Sequence, residues 1–128
     1  MPTFPGNTGD VVTSAMWNGL PAYAVQTAKT ADYTAASGDE YQQLIPMNKA
    51  TAIAFKIPTD ATYNFPVGTV ITVLNIGVGD CTISAVTSGT TTVLSAGATP
   101  AAPVLSQYKT AACLKTSANN WIIVGGVA

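Results

Sequence analysis

Catalysis needs a base, a nucleophile or a metal held at a defined spacing, and this chain offers few of these. It has no histidine, which removes Ser-His-Asp and Cys-His devices and any histidine-based metal site. A Ser/Lys dyad remains formally open, but no Ser-x-x-Lys spacing raises its standing. The acids are Asp10, Asp32, Asp39, Glu40, Asp60 and Asp80. Asp39 and Glu40 are adjacent, so a strand would point them to opposite faces. Most of the acids neighbour glycine or fall at strand ends, where hydrogen bonding to a turn is the ordinary role. Asp80 with nearby carbonyls is a poor start for a calcium site, which needs several oxygen ligands. Two cysteines without histidine or a second pair make no zinc site. No cofactor or metal is expected, and the chain reads as a non-enzyme.

The cysteines bear on compartment. Met1-Pro2-Thr3-Phe4-Pro5-Gly6 has neither a charged n-region nor an apolar h-region, so synthesis in a cytoplasm is expected. Cys81 and Cys113 each fall within an apparent strand and are read as free, buried thiols rather than a disulfide. Gly77-x-Gly79 is not a nucleotide loop, since no helix follows it. Five lysines, no arginine and a net charge of −1 leave no basic cluster for nucleic acid or for an anionic membrane surface. No run reaches the roughly 18 apolar residues of a spanning helix.

The elements that would carry these residues fall into two parts. Residues 1–23 form an N-terminal arm rich in Pro and Gly, with too little periodicity for a core of its own. Within it, Thr13 or Ser14 can cap a short helix that Gly19 and Pro21 end. Val12, Met16, Trp17 and Leu20 would then share an apolar face. That face docks either on its own domain or on another subunit, and the residues leave both open. Residues 24–128 read as strand after strand. Ile53, Phe55 and Ile57 alternate before Pro58 closes their strand. Val70 to Ile76 is apolar on both faces, which places it centrally in its sheet. Ser37-Gly38-Asp39-Glu40 and Phe65-Pro66-Val67-Gly68 read as turns, while Gly77-Val78-Gly79-Asp80 and Ser117-Ala118-Asn119-Asn120 read as hairpins. The expectation is an all-β domain of about seven or eight strands, a β-sandwich or jelly roll.

Composition adds one constraint. Only 9% of residues are charged and 48% are hydrophobic, against about a quarter charged in ordinary soluble domains. Such a surface must be covered by Thr, Ser, Asn and Gln, by partner subunits, or by both.

Several segments taken in order carry a resemblance: Asp32-Tyr33-Thr34, Phe65-Pro66-Val67-Gly68-Thr69-Val70, Gly79-Asp80-Cys81-Thr82-Ile83, Gln107-Tyr108 through Leu114-Lys115, and Asn120-Trp121-Ile122-Ile123-Val124. From Tyr33 onward the chain resembles a β-sandwich domain that recurs in virion proteins of tailed bacteriophages, among them head fibres, tail fibres and capsid decoration proteins. Gly9 to Leu20 is similar to the short helix-forming stretch near the start of many phage fibre proteins. The chain has no room for fibre shaft repeats or a receptor-binding tip, so the resemblance implies a capsid decoration, or cement, protein. It also implies a homotrimer on the capsid surface with the major capsid protein as partner, and an interface built from Phe4, Val11, Val12, Met16, Trp17 and Leu20. The alternative is a short head-fibre or tail-fibre component binding host glycans, for which Tyr63, Tyr108 or Trp121 should face solvent and cluster.

Overall fold

The computed structural model describes residues 23–95 and 103–127. The expected short N-terminal helix and the expected interface residues Phe4, Val11, Val12, Met16, Trp17 and Leu20 of the arm lie outside the described residues. Within them the chain is all-β and without helix, in ten strands rather than seven or eight. In order they are β1 (Ala24–Val25), β2 (Tyr33–Thr34), β3 (Gln43–Met47), β4 (Ile53–Ile57), β5 (Val70–Asn75), β6 (Cys81–Ala85), β7 (Thr92–Ser95), β8 (Val104–Leu105), β9 (Thr110–Ser117) and β10 (Asn120–Gly125). The excess over expectation is made of two-residue strands, which are too short to show a period-2 pattern.

Two sheets share these strands. Sheet A has six in the order β1-β3-β5-β9-β10-β7, and sheet B has four in the order β2-β4-β6-β8. The first six strands alternate between the sheets, so the chain winds as a coil. Each turn of the coil lies parallel to the one before: β1 on β3 on β5 in sheet A, and β2 on β4 on β6 in sheet B. Leu44 stands opposite Thr72 and Ile53 opposite Cys81, so the same sequence step relates β3 to β5 and β4 to β6, while the earlier steps, Val25 to Leu44 and Tyr33 to Phe55, are shorter. This parallel winding is not the antiparallel pairing of a jelly roll. Antiparallel pairing enters later, where β9 inserts beside β5 and pairs with β10, and where β8 pairs with β6.

The winding corrects the reading of Gly77-Val78-Gly79-Asp80 as a hairpin. That segment carries the chain from β5 in sheet A to β6 in sheet B, as a corner stacked on the preceding one. Gly79 N–H donates to the Lys49 carbonyl (2.9 Å) and Ile53 N–H to the Asp80 carbonyl (3.0 Å). A methyl on Gly77 would collide with the Lys49 backbone, and one on Gly79 with the Thr51 carbonyl. The glycines are needed for this close backbone approach. The buried Asn75 side chain completes the corner, with Nδ2 donating to the Gly79 and Leu105 carbonyls (2.9 and 2.8 Å) and Oδ1 accepting from Gly77 N–H (3.0 Å).

Both sheets line one core. Ile45, Ile71, Val73 and Ile123 enter it from sheet A, and Ile53, Phe55, Ile57 and Ile83 from sheet B. Burying each such side chain contributes about 1.5–3 kcal/mol. Trp121 is buried edge-on against Phe65, with ring centroids 5.7 Å apart. Val70 to Asn75 is central in sheet A as expected, and Ala118–Asn119 turns β9 into β10. Two sheets around one core make a sandwich-like arrangement.

Candidate interaction surface

The charged residues that chemistry would need are committed to holding loops. Asp39 is buried and accepts from Gln26 Nε2 (2.7 Å), the Tyr33 hydroxyl (2.7 Å) and Ala36 N–H (2.8 Å). Burial, then the hydrogen bond to Asp39, raises the Tyr33 hydroxyl above the ordinary tyrosine range, so it stays a donor. Glu40 accepts from Gly38 N–H and the Tyr63 hydroxyl. Asp32 accepts from Ala54 N–H. Turn hydrogen bonding is thus observed for Asp39 and Glu40, whereas Asp32 fastens its loop to β4.

Asp60 belongs to a larger device. Lys115, on β9, is 2% exposed, and its ammonium donates to Asp60 Oδ1 (2.8 Å), Asn64 Oδ1 (2.8 Å) and the Phe65 carbonyl (2.6 Å). All three of its donors are satisfied. Asp60 Oδ2 accepts from Asn119 N–H (3.0 Å), while Asp60 N–H donates to Asn119 Oδ1 (2.9 Å). One buried cation thereby ties the loop before β5 to the β9–β10 hairpin. Sequence spacing gives no hint of this pairing.

Cys81 and Cys113 are free and buried. Burial pushes the Cys81 thiol up to about 11, against a small opposing hydrogen bond from the Phe55 backbone. Burial, and then the neighbouring Cys81, raise Cys113 further. Neither is a thiolate near neutrality, so neither is primed as a nucleophile. Among the described residues no three acids or cysteines cluster as metal ligands. A cleft of about 250 Å³ between the ends of β6 and β7 is lined by small and hydroxyl side chains, with no ionisable group.

What remains is surface, and the register of the sheets sorts it. On the outward side of sheet A, Leu94, Ile122, Leu114 and Val70 form one row across β7, β10, β9 and β5. Val124, Ala112, Thr72, Leu44 and Val25 form the next, from β10 to β1. Thr110, Leu74 and Pro46 form a third, in which Pro46 is buried. None of these residues is charged, and only two are threonines. Val25, Val70, Leu94 and Val124 are exposed, at 66%, 37%, 43% and 44%.

Sheet B differs. Its outward rows are Thr34, Lys56 and Ser84, and then Ala54, Thr82 and Val104. That face is small, hydroxylated and carries a lysine, as a solvated face should. The outer face of sheet A is therefore the candidate site. Of the aromatics that a glycan surface would need, Trp121 is buried, Tyr63 packs against the core, and Tyr108 is exposed. Comparison with protein-family models, curated proteins and solved structures finds no match to this chain.

Proposed function

We propose that this chain is a non-catalytic structural protein that works as an oligomer, and that it decorates and stabilises the head of a tailed phage as a cement protein on the capsid surface. The observation that carries the assembly reading is the uncharged apolar face of sheet A, opposite a polar face on sheet B. A contiguous apolar patch rimmed by polar surface marks a protein–protein contact, and its residues resemble the depleted-charge centre of an interface. The ordered turn and strand segments supply the virion part of the reading. A homotrimer of sandwich domains, each with an N-terminal arm, and the major capsid protein as partner complete it. Binding that favours the assembled shell stabilises it by linkage. The buried Trp121 counts against the glycan-binding alternative.

The test is the copy number of the protein in purified particles of its phage, by quantitative mass spectrometry against the major capsid protein. A number comparable with the capsid protein is expected. A handful of copies would move the protein to a fibre or tail, and its absence would end the virion reading. Light scattering on the full-length protein tests the oligomer separately.

A further inference from the structure

The outer face of sheet A lacks an occupant among the described residues, and the chain itself holds a segment of matching chemistry. We infer that residues 1–22 of one copy lie across the outer face of sheet A of a second copy. The inference rests on the reading of the protein as an oligomer, and names what covers the face.

Three observations support it. The first is where the segment begins. It joins the fold at Tyr23, one residue before β1, which is the edge strand of sheet A. Val25 belongs to the apolar rows themselves. The second is composition. Residues 1–22 include Phe4, Val11, Val12, Met16, Trp17 and Leu20 with Asp10 as the sole charged side chain, so they bring apolar area with one carboxylate to keep at the edge of the contact. The third is reach. Five strand spacings of roughly 4.8 Å make the face about 24 Å wide. With the expected short helix from Ser14 to Gly19 and extended chain on either side, Val11 to Tyr23 span up to roughly 30 Å. The segment can cross the whole face and still bridge a gap between copies.

A copy could in principle fold its own segment back, and tethering would favour that by effective concentration. A segment reversing at Pro21 would cover Tyr23 and Val25 first. These are 47% and 66% exposed, with Val25 the most exposed of the face. Both are open to a segment from either copy, and coverage by the chain's own segment is the outcome that the experiment must separate. Passed from each copy to the next, such a contact is heterologous, and it gives a ring when the rotation between copies closes.

The experiment uses the full chain with a photoreactive benzophenone residue in place of Val124, which is exposed in the middle row. This protein, at natural isotope abundance, is mixed with unsubstituted nitrogen-15-labelled protein, allowed to exchange, illuminated, digested and mapped by mass spectrometry. The expected product joins position 124 of the light copy to residues 1–22 of the heavy one. The same probe in place of Thr82, on sheet B, should give no such adduct. Trp17→Asp should reduce the cross-copy adduct and weaken self-association by roughly thirtyfold or more, the size expected for removing a buried aromatic anchor. Adducts only within the light copy, only to residues 23–128 of the other copy, or with neither, would each overturn the inference. If light scattering finds an oligomer while the adduct fails, the inference alone is lost. A monomer at all concentrations would remove the oligomer reading as well.

Discussion

The two outward faces are made by the same chain, through the same kind of strand, and diverge in one respect. Inward residues are apolar in both sheets, as a shared core requires, apart from Asn75 and Lys115 of sheet A, whose polar groups are hydrogen-bonded. Outward residues of sheet B are Thr34, Ala54, Lys56, Thr82, Ser84 and Val104, whereas those of sheet A are mostly Leu, Ile and Val. Strand propensity cannot account for this, because threonine suits a solvent-facing strand as well as valine. On the proposed reading the difference lies in what each face would meet: water on sheet B, and the apolar surface of another copy on sheet A. Low overall charge is therefore not spread evenly over this molecule.

A change that damages the core or its fastenings should injure both faces together, and sets the scale. Asp60→Ala leaves the Lys115 ammonium buried without its counter-ion and frees Asn119 N–H. Removing one partner of a buried ion pair costs about 3–5 kcal/mol. The expected outcome is a loss of that size in urea unfolding, independent of protein concentration. A change below about 1 kcal/mol would mean that Lys115 finds another anion or reaches water.

The sharper test compares one residue from each face. Leu114 lies in the first row of sheet A, between Val70 and Ile122, and Thr82 sits at the matching outward position of sheet B. Leu114→Asp places a charge where the partner must be apolar, and should weaken self-association by about 2 kcal/mol, or roughly thirtyfold. Thr82→Asp should leave association unchanged. Sedimentation equilibrium on both variants reads the difference. Equal effects would erase the contrast between the faces, whatever their size.

Much of the fold was legible in the sequence, and what was missed has a common cause. Ile53, Phe55 and Ile57 announced their strand because period-2 alternation is local. The turns at Ser37 to Glu40 and Phe65 to Gly68, and the hairpin at Ser117 to Asn120, were legible through Gly, Pro, Asn and Asp. Gly77 to Asp80 has the same residues, but there the glycines answer to the backbone of Lys49 and Thr51, a neighbour created only by winding. Parallel pairing was hidden because alternation tells which face a residue takes and not which strand it pairs with. Lys115 with Asp60 was invisible for the same reason. The uncharged face left one trace: Val70 to Ile76 is apolar on both sides, and Trp121 to Val124 is an unbroken apolar run. Centrality explained the first, yet a central strand in a two-sheet fold still turns one side outward. That second apolar side was the available signal.

The space between the faces can be probed by pH. The Cys81 thiol is raised by burial from about 9 to about 11. Between those values the folded chain holds a proton that the unfolded chain releases. Unfolding is then favoured as pH rises, so this contribution is intact below about pH 9 and is lost on the way to 11. The Cys81 share of the fall between pH 8 and pH 10 should be on the order of 1 kcal/mol, with Cys113 adding in the same direction, and Cys81→Ser should remove its share of the decline. Both thiols should resist a thiol reagent at pH 8 until the protein unfolds. Prompt labelling in the native protein would show that the core opens between the sheets.

The smallest effect expected is on the polar side, and its smallness carries information. Lys56 is the one charged residue in the outward rows of sheet B, between Thr34 and Ser84. Its ammonium has no ion-pair partner among the described residues, where the pair Lys115–Asp60 is found. Replacing a solvated lysine by glutamine removes no contact and creates no cavity, so Lys56→Gln should alter stability by less than about 0.5 kcal/mol. It should alter self-association by no more. If sheet B also contacts a partner copy, the same substitution would change association and its salt dependence, because a charge at an interface rim acts on encounter. Measuring association at two ionic strengths for the Lys56→Gln protein therefore separates a molecule with one sticky face from a molecule with two.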